Sequence, residues 1–434
     1  MPVCLVKTLS AVRTKDGPQA RGLRVRREGV VMTQPQPPVA RQTRDVDILI
    51  AGAGPVGVVA AWALARAGVS VLVAEAGADC HEDLRASTFH PPTLEMLDRL
   101  GLLDAMLAQG LKAPVYQYRI RRTGEILAFD LGELADTTEF PFRLQCEQWK
   151  LARLVAEKLG DRVLFSRRVV HFAQHPDGVT VHLEAPFEIE QVRAKYLIAA
   201  DGANSLVRKW LAVEFDGFTY PEKFLTLSTE APLESHFENL ANVNYVSDPD
   251  WWHVLLRVPG LWRVLVAAAD DVPDAKLLSD ATSREAFGRL IGEPDTRTRH
   301  RTIYRVHQRV ARRFDHGRVM LVGDAAHLNN PLGGLGMNSG IHDAVNLAEK
   351  LVAVLQGGDA DALLPRFGRQ RRHVTTSFIQ AQTMKNKQMM EADERARQPL
   401  FDEMAEVLQD KDRRRSYLWR QAMFASLEEA AAIA

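Results

Sequence analysis

Cysteine is nearly absent from this chain: 434 residues hold only Cys4, Cys80 and Cys146, far apart and without a CxxC pair. That excludes a disulfide framework and a cysteine-rich metal site, and it fits a reducing, cytoplasmic compartment. Net charge is absent as well, since 55 Lys and Arg balance 55 Asp and Glu. Nothing in that total calls for a nucleic-acid partner. Long hydrophobic runs are also missing. Ile48 to Ala65 carries no charge, but three glycines and Pro55 interrupt it and Arg66 closes it. Such a segment describes a buried strand, turn and helix rather than a membrane span. No internal repeat is visible.

The zero total hides an asymmetry. Residues 1–44 carry nine Lys or Arg against Asp16 and Glu28, a local net of +7. Arg-rich, acid-poor starts suit a transit peptide. Gly17-Pro18, the prolines from Pro35 to Pro38 and the scarcity of apolar repeats instead favour a disordered basic extension, and Met32 offers a second start.

What is present begins with Val46–Ala51 as a buried strand, Val56–Ala67 as a helix and Val69–Ala74 as a second strand, the opening βαβ of a dinucleotide-binding fold. The turn reads Gly52-Ala53-Gly54-Pro55-Val56-Gly57, and Glu75 lies 18 residues beyond Gly57. Gly52 permits the tight turn, Gly54 lets backbone approach a pyrophosphate, and Gly57 lets helix and strand pack closely. Glu75 is placed to accept from ribose hydroxyls. Further on come a helix around Pro92–Gln109, another around Glu147–Leu159, and short β-rich runs from 162 to 198 that enter a turn at Asp201-Gly202. Trp252–Val258 and Leu261–Ala267, joined by Pro259-Gly260, predict a hairpin in a mostly antiparallel sheet. Arg318–Val322 returns the chain to the first domain, Ser339–Gln356 is a long amphipathic helix, and the charged helical tail shows no ligand chemistry.

A second phosphate-and-sugar-reading segment is Gly323-Asp324-Ala325-Ala326-His327, followed by Pro331 and by Gly336-Met337-Asn338. A carboxylate at a strand end, Asp324, can accept from ribityl hydroxyls. Backbone N–H groups at the start of the long helix can meet the pyrimidine end of a flavin, with the helix dipole favouring negative charge there. A nucleotide alone needs the first segment; FAD needs both.

With these motifs the sequence resembles the single-component, class A FAD-dependent aromatic hydroxylases of the para-hydroxybenzoate hydroxylase type, over about residues 45–360. Besides the two segments, Asp201-Gly202-Ala203-Asn204-Ser205 with Arg208 is similar to the family's Asp-Gly motif. Arg208 is a candidate for meeting NAD(P)H phosphate or bracing the FAD. The resemblance places Arg85 near the cofactor pyrophosphate, Gln145 against the flavin, and the Pro331 carbonyl in front of it. It implies reduction by NADH or NADPH bound transiently, then O2 chemistry through a flavin C4a-hydroperoxide attacked by an electron-rich aromatic ring. Only one strand–GxGxxG–helix unit occurs, in keeping with such transient binding.

The expected fold is α/β: a Rossmann-like FAD-binding domain with an antiparallel-sheet substrate domain and a helical C-terminus. The expected division is 1–44 as extension, 45–211 and 311–360 as the two parts of the FAD domain, 212–310 as the substrate sheet, and 361–434 as helical tail. His90 and His253 are candidate bases for a ring hydroxyl. By resemblance, Tyr245 and Arg257 sit where the family's sheet supplies a tyrosine and a carboxylate-binding arginine. Trp251, Trp252 and Trp262 read as packing between sheet and helices rather than as pocket wall. No metal is expected, the partner is a small aromatic molecule, and the chain is a monomer or homodimer. Other outcomes on the same cofactor remain open: a quinone-pathway hydroxylase, a halogenase or an isoprenoid reductase, or a flavoprotein kept for binding.

Overall fold

Ile48, Leu49, Ile50 and Ala51 are at most 1% exposed, as an unbroken apolar run must be in mid-sheet with both faces covered. In the computed structural model, which describes residues 44–82, 86–248, 250–391 and 394–434, their strand Arg44–Ala51 lies inside a parallel sheet. Five parallel strands of this eight-stranded sheet run in the order Val319–Leu321, Glu188–Ala199, Arg44–Ala51, Val71–Ala74, Val163–Leu164, and Asp315–His316, Gly178–Ala185 and Arg168–His175 add antiparallel pairings. Helix Pro55–Arg66 follows the first strand, with proline at its start where the missing N–H costs nothing. It packs against the long helix Leu335–Leu355. The ends of three central strands, Ala51, Ala199 and Leu321, therefore deliver Gly52, Ala200-Asp201 and Val322-Gly323 to one edge. Residues 1–43 of the expected basic extension lie outside the described residues, and Arg44 begins the first strand.

Two helices differ from the expected bounds. The segment expected as one helix over 92–109 forms Pro91–Arg99 and Leu103–Leu107, with Gly101 at the break. The long helix begins at Leu335, four residues earlier than the apolar periodicity suggests, so Gly336, Met337 and Asn338 occupy its first turn. Gly333 and Gly334 make that early start possible, with φ of +104° and +68°, values a side chain would resist.

The second sheet runs Ile126–Asp130, Val115–Ile120, Val243–Ser247, His253–Val258, Leu261–Ala269, Phe215–Thr229, Thr298–Ala311, His327–Leu328. All neighbours are antiparallel except Val115–Ile120 beside Val243–Ser247. The sheet thus draws two strands from residues 115–130, outside the 212–310 segment. It buries both faces. On one, Tyr245, Val254, Phe224 and Leu265 meet Met389, Met390, Phe401 and Met404 from the tail. On the other, Val246, Leu255, Val264 and Trp262 meet Phe287 and Leu290 of helix Asp280–Ile291. Successive side chains point to opposite faces, and this alternation decides which residues reach the site.

Candidate active site

A single cleft joins the C-terminal edge of the parallel sheet to the tail-facing side of the second sheet. One end is lined by Gly54, Val56, Gly202, Ala203, Asp324 and Met337, the other by Tyr245, Val254, Leu256, Arg263, Tyr304 and Leu332.

At the first end the glycines meet different surroundings. A Cβ on Gly52 would lie 2.4 Å from the Ala200 carbonyl oxygen, and one on Gly57 would lie 2.0 Å from that of Gly52. A Cβ on Gly54 would meet no protein atom within 4 Å, so it faces the open space a diphosphate would fill. Glu75 accepts from the N–H of Ala53 and of Gly77, both at 2.7 Å. It braces the glycine turn, a role the sequence reading did not give it. Asp324 is the exposed residue in the otherwise buried run Val319–His327 and faces the cleft. Gln145 is fully buried, takes a hydrogen bond from Thr88 at 3.1 Å and keeps its Nε2 without a protein partner. An open cradle, an exposed carboxylate at the strand end and an orphaned amide N–H beside the helix start fit a dinucleotide that continues into a polar ring.

Other expected cofactor residues are supports. The Asn338 carboxamide takes the His90 N–H at 2.9 Å and donates to Thr88 and Gly334 carbonyls at 2.8 and 2.7 Å. Its side chain ties the helix start to the strand before His90, leaving backbone N–H groups of the first turn for a ligand. Gly336 and Met337 line the cleft. Asp201 does not line it; its carboxylate takes the Val207 N–H at 3.2 Å, and burial raises its pKa. Arg208 donates to the carbonyls of Ala325 at 2.9 Å and Ala203 at 2.7 Å, with its guanidinium 3.8 Å over the Phe215 ring. Its guanidinium is thus engaged by this chain's own backbone and by that ring. Arg85 lies outside the described residues.

On the opposite side of Asp324 sits a buried hub that the sequence reading missed. Asp343 accepts from His327 at 2.7 Å, from Arg371 at 2.6 Å and from the Gly323 N–H at 3.0 Å, and all three side chains are at most 1% exposed. The residues lie far apart in sequence, so no motif announced the cluster.

The substrate end requires corrections. His253 and Arg257 share the sheet face turned away from the cleft, because Val254 and Leu256 on the same strand line it. Arg257 instead stacks 5.2 Å from the Trp262 ring and pairs with Glu234 at 3.6 Å. His253 packs against Trp251, and burial pushes its pKa down to about 4. His90 is also off the cleft wall: its Nε2 meets the Gly333 carbonyl at 2.9 Å, and burial, with Arg143 nearby, holds it well below the usual histidine range. Both rings are neutral at pH 7. Tyr245 and Pro331 do line the cleft. The Pro331 carbonyl accepts the Gly334 N–H at 3.0 Å, closing the turn that starts the long helix. Trp262 donates to Glu234 at 2.6 Å and Trp252 meets Phe224 edge-on at 5.4 Å, so both tryptophans pack as expected. Arg263, Thr226, Tyr304 and His307 were missed. Arg263 is three residues past Gly260 of the hairpin turn, on the strand facing Arg257, and counting alternation from Tyr245 across the hairpin could have found it. His253→Gln and Arg257→Ala are each expected to leave KM for the aromatic substrate and the pH profile of kcat/KM within about 2-fold of wild type, measured by steady-state kinetics over pH 5.5–9.

A two-sheet architecture with a dinucleotide cradle opening onto a sheet-walled cavity defines a flavin-dependent oxidoreductase. A family model described as an FAD binding domain matches residues 45–382. The chain belongs to this family, that of the class A FAD-dependent aromatic hydroxylases. Among its relatives, para-nitrophenol 4-monooxygenase of Pseudomonas sp. (strain WBC-3) is 34% identical over 76% of this chain and 84% of its own length. The 6-hydroxy-3-succinoylpyridine 3-monooxygenase HspB of Pseudomonas putida is 33% identical over 78% of this chain and 87% of its own. In structure, p-nitrophenol 4-monooxygenase PnpA from Pseudomonas putida DLL-E4 superposes with a TM-score of 0.82 at 32% identity, covering 89% of this chain and 99% of that one. The flavin-dependent monooxygenase PieE, solved with FAD and substrate, gives 0.73 at 25% identity over 89% and 73%. The chain is an FAD-dependent monooxygenase.

Proposed function

We propose that this monooxygenase hydroxylates a phenolic or N-heteroaromatic ring held between the sheet face of Tyr245, Leu256, Arg263 and Tyr304 and the loop of Pro331 and Leu332. The observation that carries this is the continuity of the cleft, from Asp324 and Met337 at one end to Tyr245 and Arg263 at the other. FAD, held by the glycine turn, Asp324 and the first turn of the long helix, supplies electrons taken from NADH or NADPH and activates O2.

The chain's own residues do the rest. Val254, Leu256, Leu265 and Leu332 give the ring an apolar wall and exclude water. Arg263, 2% exposed, presents a cation on that wall. It suits a ring whose substituent carries negative charge or oxygen acceptors. The substrates named for the two relatives both combine a ring hydroxyl with an oxygen-bearing group across the ring. With His90 and His253 facing elsewhere, His307 is the group of the substrate end that can take the ring-hydroxyl proton, while the Tyr245 and Tyr304 hydroxyls can only relay it, giving up their own proton as they receive one. The His307 Nδ1 lies 2.9 Å from Thr219 Oγ1, and burial, with Arg309 and Arg305, lowers its pKa, so its neutral ring can accept. The free thiols of Cys80 and Cys146 suit a cytoplasmic setting.

The test is a panel of para-substituted phenols and hydroxypyridines given to the FAD-loaded protein, with NAD(P)H oxidation and product mass recorded. Rings bearing nitro or carboxylate groups are expected to accelerate flavin reduction and gain oxygen. Arg263→Met should raise KM for these by about 30-fold and for uncharged phenols by less than about 3-fold. Equal effects on both would remove Arg263 from substrate recognition; no oxygenated product from any ring would remove the hydroxylase.

A further inference from the structure

The tail carried no ligand chemistry in the sequence, yet its helix Ala381–Glu391 grips the loop in front of the flavin site. Leu328, Asn329, Pro331 and Leu332 line the cleft; Asn330, fully buried, turns the other way. Its Nδ2 donates to the Thr383 carbonyl at 3.0 Å and to Tyr220 Oη at 3.4 Å, and its Oδ1 takes the Leu332 N–H at 3.1 Å. Its backbone N–H goes to Gln308 Oε1 at 3.2 Å, and Gln308 Nε2 reaches Thr383 Oγ1 at 3.3 Å. Asn386 Nδ2 then holds the Leu332 carbonyl at 3.1 Å, so both backbone groups of the residue after Pro331 are tied down.

The helix is itself anchored to the sheet. Ser247 donates to the Met389 carbonyl at 3.3 Å, and Lys387 pairs with Glu222 at 2.7 Å. A π-helical stretch, Thr375–Gln380, precedes it. The wider turn there shifts the helical phase just ahead of Thr383 and Asn386, and such insertions recur at functional sites. Gln308, Thr383 and Asn386 are all at most 4% exposed. Buried polar networks with every member satisfied fix one geometry, because breaking any bond strands a desolvated partner.

We propose that Asn330, Thr383 and Asn386 are positioning residues that set the height of the Pro331 loop over the flavin site and so decide whether oxygen reaches the substrate. The inference rests on the hydroxylase reading. In the coupled reaction NAD(P)H, a proton, O2 and the aromatic give NAD(P)+, water and the hydroxylated ring. Uncoupled, the same NAD(P)H, proton and O2 give NAD(P)+ and H2O2. Transfer to the ring demands placement to a fraction of an ångström, whereas loss as H2O2 demands none. A loosened loop therefore shifts the partition without stopping NAD(P)H consumption.

The experiment compares Asn330→Ala, Asn386→Ala, Thr383→Val and Thr383→Ser with wild type in the FAD-loaded protein. Product and H2O2 per NAD(P)H are measured, together with FAD Kd, and hydrogen exchange follows the backbone amides of 328–334. Asn330→Ala and Asn386→Ala should lower coupling about 5-fold with H2O2 rising to match, as expected for one or more lost hydrogen bonds. FAD Kd should stay within about 2-fold, and loop exchange should quicken about 5-fold. Thr383→Val should follow them weakly, and Thr383→Ser, which keeps the oxygen, should not. Should Asn330→Ala fail to fold, Asn386→Ala carries the test. Unchanged coupling and exchange in Asn386→Ala would overturn the proposal, as would loss of coupling in strict proportion to lost FAD. If wild type makes no product from any ring, the hydroxylase reading fails, and loop exchange alone still decides the clamp.

Discussion

Asp324→Ala protein is expected to purify without its yellow cofactor, with the Kd for FAD raised about 100-fold. The size follows from the geometry. Asp324 is the exposed carboxylate in a buried strand-end run and faces the cleft beside Gly54, Val56 and Met337. Arg208 and the Asp343 hub hold the backbone on either side of it, so the carboxylate is presented without further ordering. Two charge-assisted hydrogen bonds to ribityl hydroxyls would contribute about 3 kcal/mol, which corresponds to the predicted hundredfold. Asp324→Asn keeps an acceptor and should fall between. Flavin fluorescence titration of the apoprotein gives the number, and a Kd near wild type in Asp324→Ala would undo the ribityl assignment.

Arg371→Leu should cost about 3–5 kcal/mol of folding stability at neutral pH, read from urea denaturation of apoprotein. Burial by itself would raise the pKa of Asp343, but the fields and hydrogen bonds of His327 and Arg371 hold it below the ordinary value. A carboxylate with a depressed folded pKa stabilises the fold above its unfolded pKa of about 4, and that contribution is lost as pH falls further. Removing Arg371 takes away one of the two partners that oppose burial and leaves His327 as the other, so the charged form is less favoured in the same pH range. The deficit should therefore be largest near pH 7 and shrink as pH falls below about 4 and on through the depressed folded pKa of the wild type, beneath which the carboxyl is protonated in both proteins. A deficit independent of pH would mean that Arg371 acts by packing alone. Because Asp343 also holds the Gly323 N–H, Arg371→Leu should weaken FAD binding too, by less than Asp324→Ala does.

The cofactor half was legible because its chemistry is local. Gly52, Gly54 and Gly57 sit within six residues of one another and each answers a backbone requirement, and Asp324 stands at the end of an apolar strand. The Asp343 hub was not legible, since His327, Asp343 and Arg371 come together only when separate elements pack; Arg208 was named as a candidate, but not its hold on the Ala325 and Ala203 carbonyls. Glu75 shows the same limit from the other side: its spacing singled it out for a ribose, while its carboxylate accepts from Ala53 and Gly77. At the substrate end the hairpin was legible, and Tyr245 lines the cleft. The facing of His253 and Arg257 was not, because a period-two pattern says which residues share a side but not which side is the cleft. Only the tail helices and helix Asp280–Ile291, packed on opposite faces, settle that.

The most direct test of the central claim is isotopic. The FAD-loaded protein is given NAD(P)H, 18O2 and a para-substituted phenol, and the product is weighed by mass spectrometry. One 18O atom per ring, with about one NAD(P)H consumed for each, is the predicted result. A product whose new oxygen comes from water, or NAD(P)H consumption that yields only H2O2 with every ring tried, would contradict it.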